Sequence, residues 1–276
     1  MTMRDRLRKL ITMTASVGLV FAVCVTVLMN TGSATTTVPQ DMRGVWNGFI
    51  QAGINPPEPV RTEITSQINR RFTGLATPPD PAQPIPIEGT VSASGKVNFQ
   101  GESSDGHTVG KTDLTDFGGG AAILNGSLTR VRVDGTFIIP CVLELRAFEG
   151  APPDPVQPAG RYEGSLSGDG TTGQIVISLS NPPDPVRPTS FGGSVQIVIG
   201  GQTRNLTLLG TMNSAGRFIA IAHLPGAGHM ILDANLSTPP DPVQPTTLSG
   251  NFTVEFGDGS ELVGTFQTEV TRTNPT

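Results

Sequence analysis

Four short strings occur twice in this chain, in the same order. Gly44-Val-Trp-Asn-Gly48 returns as Gly160-Arg-Tyr-Glu-Gly164, and Gly89-Thr-Val-Ser-Ala-Ser-Gly-Lys-Val97 as Gly210-Thr-Met-Asn-Ser-Ala-Gly-Arg-Phe218. Ile123-Leu-Asn-Gly-Ser-Leu128 returns as Ile231-Leu-Asp-Ala-Asn-Leu236, and Val133-Asp-Gly-Thr-Phe137 as Leu248-Ser-Gly-Asn-Phe252. The ordered recurrence predicts an internal duplication, each copy spanning about 105–115 residues, a size that folds alone. Whatever one copy becomes must therefore close on itself and then be built again.

The copies read as strands. Ile175, Ile177 and Leu179 fall two apart, as do Val195, Ile197 and Ile199, then Leu206 and Leu208, then Phe252, Val254 and Phe256. Period two with β-branched and aromatic residues is the pattern of a half-buried strand. Asp105-Gly106, Asn125-Gly126, Asp134-Gly135, Asp169-Gly170 and Asp258-Gly259 supply dipeptides that tolerate positive φ in tight hairpins. Long helices are disfavoured by 34 Gly and 24 Pro. The expected fold is all-β: two tandem antiparallel meander domains, barrels or alternatively sandwiches, after an N-terminal apolar helix. The boundaries expected are a targeting or anchor segment at 1–34, a linker at 35–42, β domains at 43–149 and 160–273, and a Pro-rich linker at 150–159.

Each copy opens on Gly-x-aromatic-x-Gly. Gly44 and Trp46 resemble the Gly-x-Trp opening strand of lipocalin and avidin-type up-and-down barrels. The second copy departs from it, with Tyr162 in place of tryptophan. The resemblance implies a barrel that can house a small apolar ligand, with Trp46 and Tyr162 as candidate ligand contacts. The alternative is that both rings plug the barrel floor or the end of a sandwich.

Arg4, Arg6, Arg8 and Lys9 precede a run from Leu10 to Met29 that holds no charge. A basic flank before an uncharged apolar run is an export signal. Gly32-Ser33-Ala34 offers small residues for cleavage, whereas the run is also long enough to cross a bilayer, so a cleaved leader and a single N-terminal anchor over 10–29 both stay open. Cys24 follows Phe-Ala-Val, which does not suit a lipoprotein attachment site. An extracytoplasmic location is expected in either case. Beyond Ala34 stand 14 basic and 22 acidic residues with no Lys/Arg cluster, which excludes a nucleic-acid partner. Cys141 is then the one cysteine left, so no internal disulfide can form, and Val/Ile neighbours suggest a buried thiol.

Nineteen of the prolines fall in five near-identical strings: 56–60, 78–84, 152–158, 182–188 and 239–245. Proline runs cannot donate ladder hydrogen bonds, so the strings are expected in loops or strand connections. Three readings stay open: stiff insertions without a shared task, polyproline peptides displayed to a protein partner, or a rim whose acids Asp80, Asp154, Asp184 and Asp241 shape a binding surface.

No nucleophile elbow, phosphate loop or His-Glu-x-x-His string is present. His223 and His229 flank Leu224-Pro-Gly-Ala-Gly228 without helical zinc-site spacing, so no metal or cofactor is expected. These features predict an exported, non-enzymatic envelope or surface protein that binds or scaffolds. A lipocalin-like carrier of a small apolar ligand is the alternative. A carbohydrate-active enzyme with two carboxylates brought together from distant strands comes third.

Overall fold

The computed structural model describes residues 40–51, 57–77, 83–104, 106–132, 135–149, 159–180, 189–224, 228–238 and 246–271, without the side chains of 132, 136–141 and 271. The apolar segment 10–29, most of the proline strings and the Cys141 side chain lie outside the described residues. No helix among them is long and apolar enough to cross a membrane.

Two closed antiparallel barrels of eight strands follow one another. The first is β1 (Gly44–Gln51), β2 (Glu58–Ile68), β3 (Arg71–Thr77), β4 (Ile85–Val91), β5 (Lys96–Ser103), β6 (Gly106–Gly118), β7 (Ala121–Arg132) and β8 (Gly135–Arg146). The second is β9 (Gly160–Gly168), β10 (Thr171–Leu179), β11 (Ser190–Ile199), β12 (Gln202–Met212), β13 (Arg217–Leu224), β14 (Gly228–Ser237), β15 (Thr247–Glu255) and β16 (Glu261–Thr271). Every strand pairs with its sequence neighbour, and β1–β8 and β9–β16 close the rings. Barrels are thus the architecture adopted, not sandwiches.

Closure depends on one glycine in each opening string. A Cβ at Gly48 would stand 1.9 Å from the Leu143 carbonyl oxygen, and one at Gly164 would stand 1.9 Å from that of Gln267. The backbones of the first and last strands therefore approach closely only because these residues lack a side chain. Next to them, Trp46 and Tyr162 are fully buried at the start of their barrels.

The second matched string is a hairpin in both barrels. Gly95 and Gly216 each adopt φ +81°, and the Ser92 hydroxyl and Asn213 amide oxygen each accept from the N–H four residues on. The carbonyls of these two glycines then accept from Leu114 N on β6 and Leu236 N on β14. Leu236 thus corresponds to Leu114, not to Leu128 as the sequence strings suggest. The last two string matches are displaced by one strand, because every inward-facing strand carries the same alternation. Register settles the correspondence: Gly126, paired with Thr112, matches Gly250, paired with Ala234.

The proline strings do not follow the duplication. Barrel 1 has them between β1 and β2 and between β3 and β4, whereas barrel 2 has them between β10 and β11 and between β14 and β15. The first string also departs from the loop expectation, since β2 begins at Glu58 and Pro59 pairs opposite Phe49. Proline is tolerated there at the start of a strand.

The described residues form one compact unit. Ala121, Ile123, Leu143 and Leu145, on the outer face of β7 and β8, pack against Ile219 and Ile221 on the outer face of β13. Phe148 N donates to Thr211 Oγ1 and its carbonyl accepts from Thr189 Oγ1, both at 2.9 Å, and Arg217 Nη1 donates to the Phe117 carbonyl at 2.7 Å.

Candidate functional site

The two interiors differ. Barrel 2 has a continuous apolar core of buried residues such as Leu166, Ile177, Phe191, Phe218, Phe252 and Phe266. Barrel 1 holds a cavity of about 70 Å³ at the end away from Trp46, where β1 passes to β2 and β3 to β4. Its wall is apolar over Ile50, Val60, Ile85, Ile87, Phe99 and Val142, and polar at Thr62, Thr108, Arg130 and Glu144.

Strand register explains the difference residue by residue. Pairs across β1–β2, β2–β3, β6–β7 and β8–β1 in barrel 1 recur as pairs across β9–β10, β10–β11, β14–β15 and β16–β9 in barrel 2. Thr62, opposite Trp46, corresponds to Ile177, opposite Tyr162. Ala76 corresponds to Val195, and the pair Thr108–Arg130 to Met230–Val254. Val142, opposite Ile50, corresponds to Phe266, opposite Leu166, and Glu144, opposite Gly48, corresponds to Thr268, opposite Gly164. At Thr62, Ala76, Thr108 and Val142 barrel 1 has the smaller side chain, whereas Arg130 and Glu144 are larger than their counterparts and bring charge. Space and charge thus enter barrel 1 together.

Glu144 is the chemical centre of the cavity. Its carboxyl is buried, and Thr62 Oγ1 donates to Oε1 at 2.6 Å. Burial pushes its pKa up to about 7, against the opposing pull of that hydrogen bond. Thr62 is the one hydrogen-bond partner that shapes this pKa. Thr112, on β6 inside the same barrel, has a buried hydroxyl with no hydrogen-bond partner among the described residues. Its barrel 2 counterpart is Ala234.

The sequence-derived candidates lie elsewhere. Trp46 does not line the cavity: its Nε1 donates to the Met42 carbonyl at 3.0 Å, and the Arg146 guanidinium lies 4.9 Å from the ring centroid. Arg146 in turn donates to the carbonyls of Gly120, Asp41 and Arg43, which ties the barrel floor to the chain entering it. Tyr162 is packed into the apolar core of barrel 2, and burial pushes its hydroxyl up to about 12. Asp80, Asp154, Asp184 and Asp241 lie outside the described residues. Glu144 carried one sequence signal, a carboxylate in the inward phase of Val142-Leu-Glu-Leu-Arg146, readable only once that phase is known.

A second polar cluster lies between the barrels. His223 and His229 sit on β13 and β14 and pair directly across the strands. His229 Nε2 is 3.2 Å from Asn125 Nδ2 and 3.6 Å from Glu255. His223 is buried with neither ring nitrogen hydrogen-bonded among the described residues. Burial, and next the neighbouring His229, depress its pKa to about 4. Burial also lowers that of His229, opposed by Glu255 and Glu261. Among the described residues no group of three or more His, Cys, Asp or Glu side chains could hold a metal ion.

No protein-family profile and no curated protein matches the chain. A solved structure similar to it is a protein of unknown function of the DUF3598 family from Nostoc punctiforme, 11% identical, with 84% of this chain and 96% of that chain covered and a TM-score of 0.25.

Proposed function

We propose that the chain is an exported, non-enzymatic binding protein of the envelope or cell surface, in which barrel 1 receives a small ligand and barrel 2 is its packed support. The cavity in barrel 1, where barrel 2 has larger apolar side chains at the counterparts of Thr62, Ala76, Thr108 and Val142, carries this reading. It favours the lipocalin-like carrier over pure scaffolding, since a scaffold has no use for a hollowed core. Export rests on the basic flank and apolar run of residues 1–34. Glycoside chemistry finds less support, because Glu144 is the single carboxylate among the residues lining the cavity and that chemistry uses two.

A cavity of this size encloses a few non-hydrogen atoms, so it takes a very small molecule or the end of a longer one. The test gives barrel 1 the side chains of barrel 2. Ala76→Val and Thr108→Met together should abolish uptake of small apolar probes, read by calorimetry and by methyl NMR shifts at Ile85, Ile87 and Val142. Equal uptake by wild type and the filled variant would overturn the proposal.

A further inference from the structure

Within that binding reading, we infer that the cavity selects a neutral, mainly apolar molecule presenting one hydrogen-bond-accepting oxygen, a carbonyl or hydroxyl, to the Glu144 carboxyl. Three observations converge on this chemistry. First, a buried carboxyl is placed in an apolar wall at a position where barrel 2 has Thr268, whose own hydroxyl is already committed to the Leu248 carbonyl at 2.8 Å. Among the described residues Glu144 is committed through Oε1, to the Thr62 hydroxyl on β2, which reaches it past β1. An acid bound through one oxygen leaves the other to a ligand.

Second, the charged groups facing the barrel 1 interior, among the described residues, are Glu144, Arg130 and Arg146. Arg146 is engaged at the floor with three backbone carbonyls and the Trp46 ring. Arg130 also lines the cavity and has an interaction partner of its own. A protonated carboxyl donates, so Glu144 offers the cavity a hydrogen-bond donor and calls for an acceptor. An ammonium group only donates, so it does not match that donor. Third, the low polarity of the wall favours the uncharged acid: desolvation holds Glu144 protonated up to about pH 7. The donor is therefore present below that pH and lost above it.

Three probes of matched shape separate the possibilities: cyclopentanone, cyclopentane and cyclopentylamine, titrated into the full chain and followed by calorimetry and methyl NMR. At roughly pH 5.5 the ketone should bind about tenfold tighter than the hydrocarbon, the size of one net hydrogen bond, and this advantage should vanish by roughly pH 8.5. Glu144→Gln, whose amide donates at every pH, should keep the preference and lose its pH dependence. Glu144→Leu should lose the preference and still take cyclopentane, which also shows that the variant folds. Ketone and hydrocarbon binding alike at both pH values, or the amine binding tightest, would overturn the inference while leaving the binding barrel standing. Failure of all three probes to bind would overturn both.

Discussion

At the scale of single residues, Glu144 links ligand chemistry to stability. Its folded-state pKa, about 7, lies above the ordinary carboxylate value of 4.5. The native state therefore keeps a proton that the unfolded chain releases, and stability falls as pH rises from about 4.5 to about 7, then levels off. Glu144→Gln removes this loss, so at roughly pH 8 the variant should be more stable than wild type by on the order of 2–3 kcal/mol, and near pH 4.5 the two should match. Urea midpoints at the two pH values check it. Arg146 works the other way. It satisfies the carbonyls of Gly120, Asp41 and Arg43 and covers Trp46. Arg146→Ala leaves those groups unpaired and opens the floor, and should cost on the order of 3 kcal/mol by the same measurement. The barrel 2 counterpart of Arg146, Val270, packs beside Tyr162 with no such network, so Val270→Ala should cost about 1–2 kcal/mol.

At the scale of elements, the decisive devices are the hairpins and the seam where each barrel closes. Gly48→Ala and Gly164→Ala place a methyl inside van der Waals distance of a backbone oxygen on the last strand. Each should destabilise its barrel by several kcal/mol, on the order of 3 or more, visible as lost amide protection along β1–β8 or β9–β16. Much of this layer was legible in the sequence. Alternation located Ile175–Leu179, Val195–Ile199 and Phe252–Phe256 on strands, and the Gly-x-aromatic-x-Gly strings marked both opening strands. Ser92–Lys96 and Asn213–Arg217 were correctly paired as strings because a positive-φ glycine and a capping side chain leave a specific signature. The later strings were misaligned by one strand because inward Leu, Ile and Phe positions recur on every strand and carry no address. Glu144 is hidden in the sequence for a related reason. A single acid in an apolar strand declares itself only when the barrel fixes which phase faces inward.

At the scale of the whole molecule, two buried acid–base groups pull against one another. His223, depressed to about 4 from an ordinary 6.5, stays neutral while the unfolded chain takes up a proton. Stability therefore falls as pH drops from about 6.5 to about 4, opposite in sign to Glu144 over much of the same window. Wild type should show a shallow dependence of stability on pH between about 4.5 and 6.5. His223→Phe should unmask the falling limb of Glu144 and Glu144→Gln the rising limb of His223, as read in thermal melts across that range. The apolar contact between the barrels also explains why they stay together. Ile221→Asp buries a charge against Ile123, Leu143 and Leu145, and should separate the barrels, increasing the radius of gyration in small-angle scattering without loss of strand content.

The opening strings also give the molecule its optics. The chain has one tryptophan and one tyrosine, at corresponding places in different barrels and both sealed from water. Indole absorbs further to the red than phenol, so selective excitation addresses barrel 1 alone. The phenol, held neutral until about pH 12, cannot ionise at ordinary alkaline pH while barrel 2 is intact. Tryptophan emission and the tyrosinate absorbance step thus form two independent clocks, one per barrel, that tell without any label which of the two opens first.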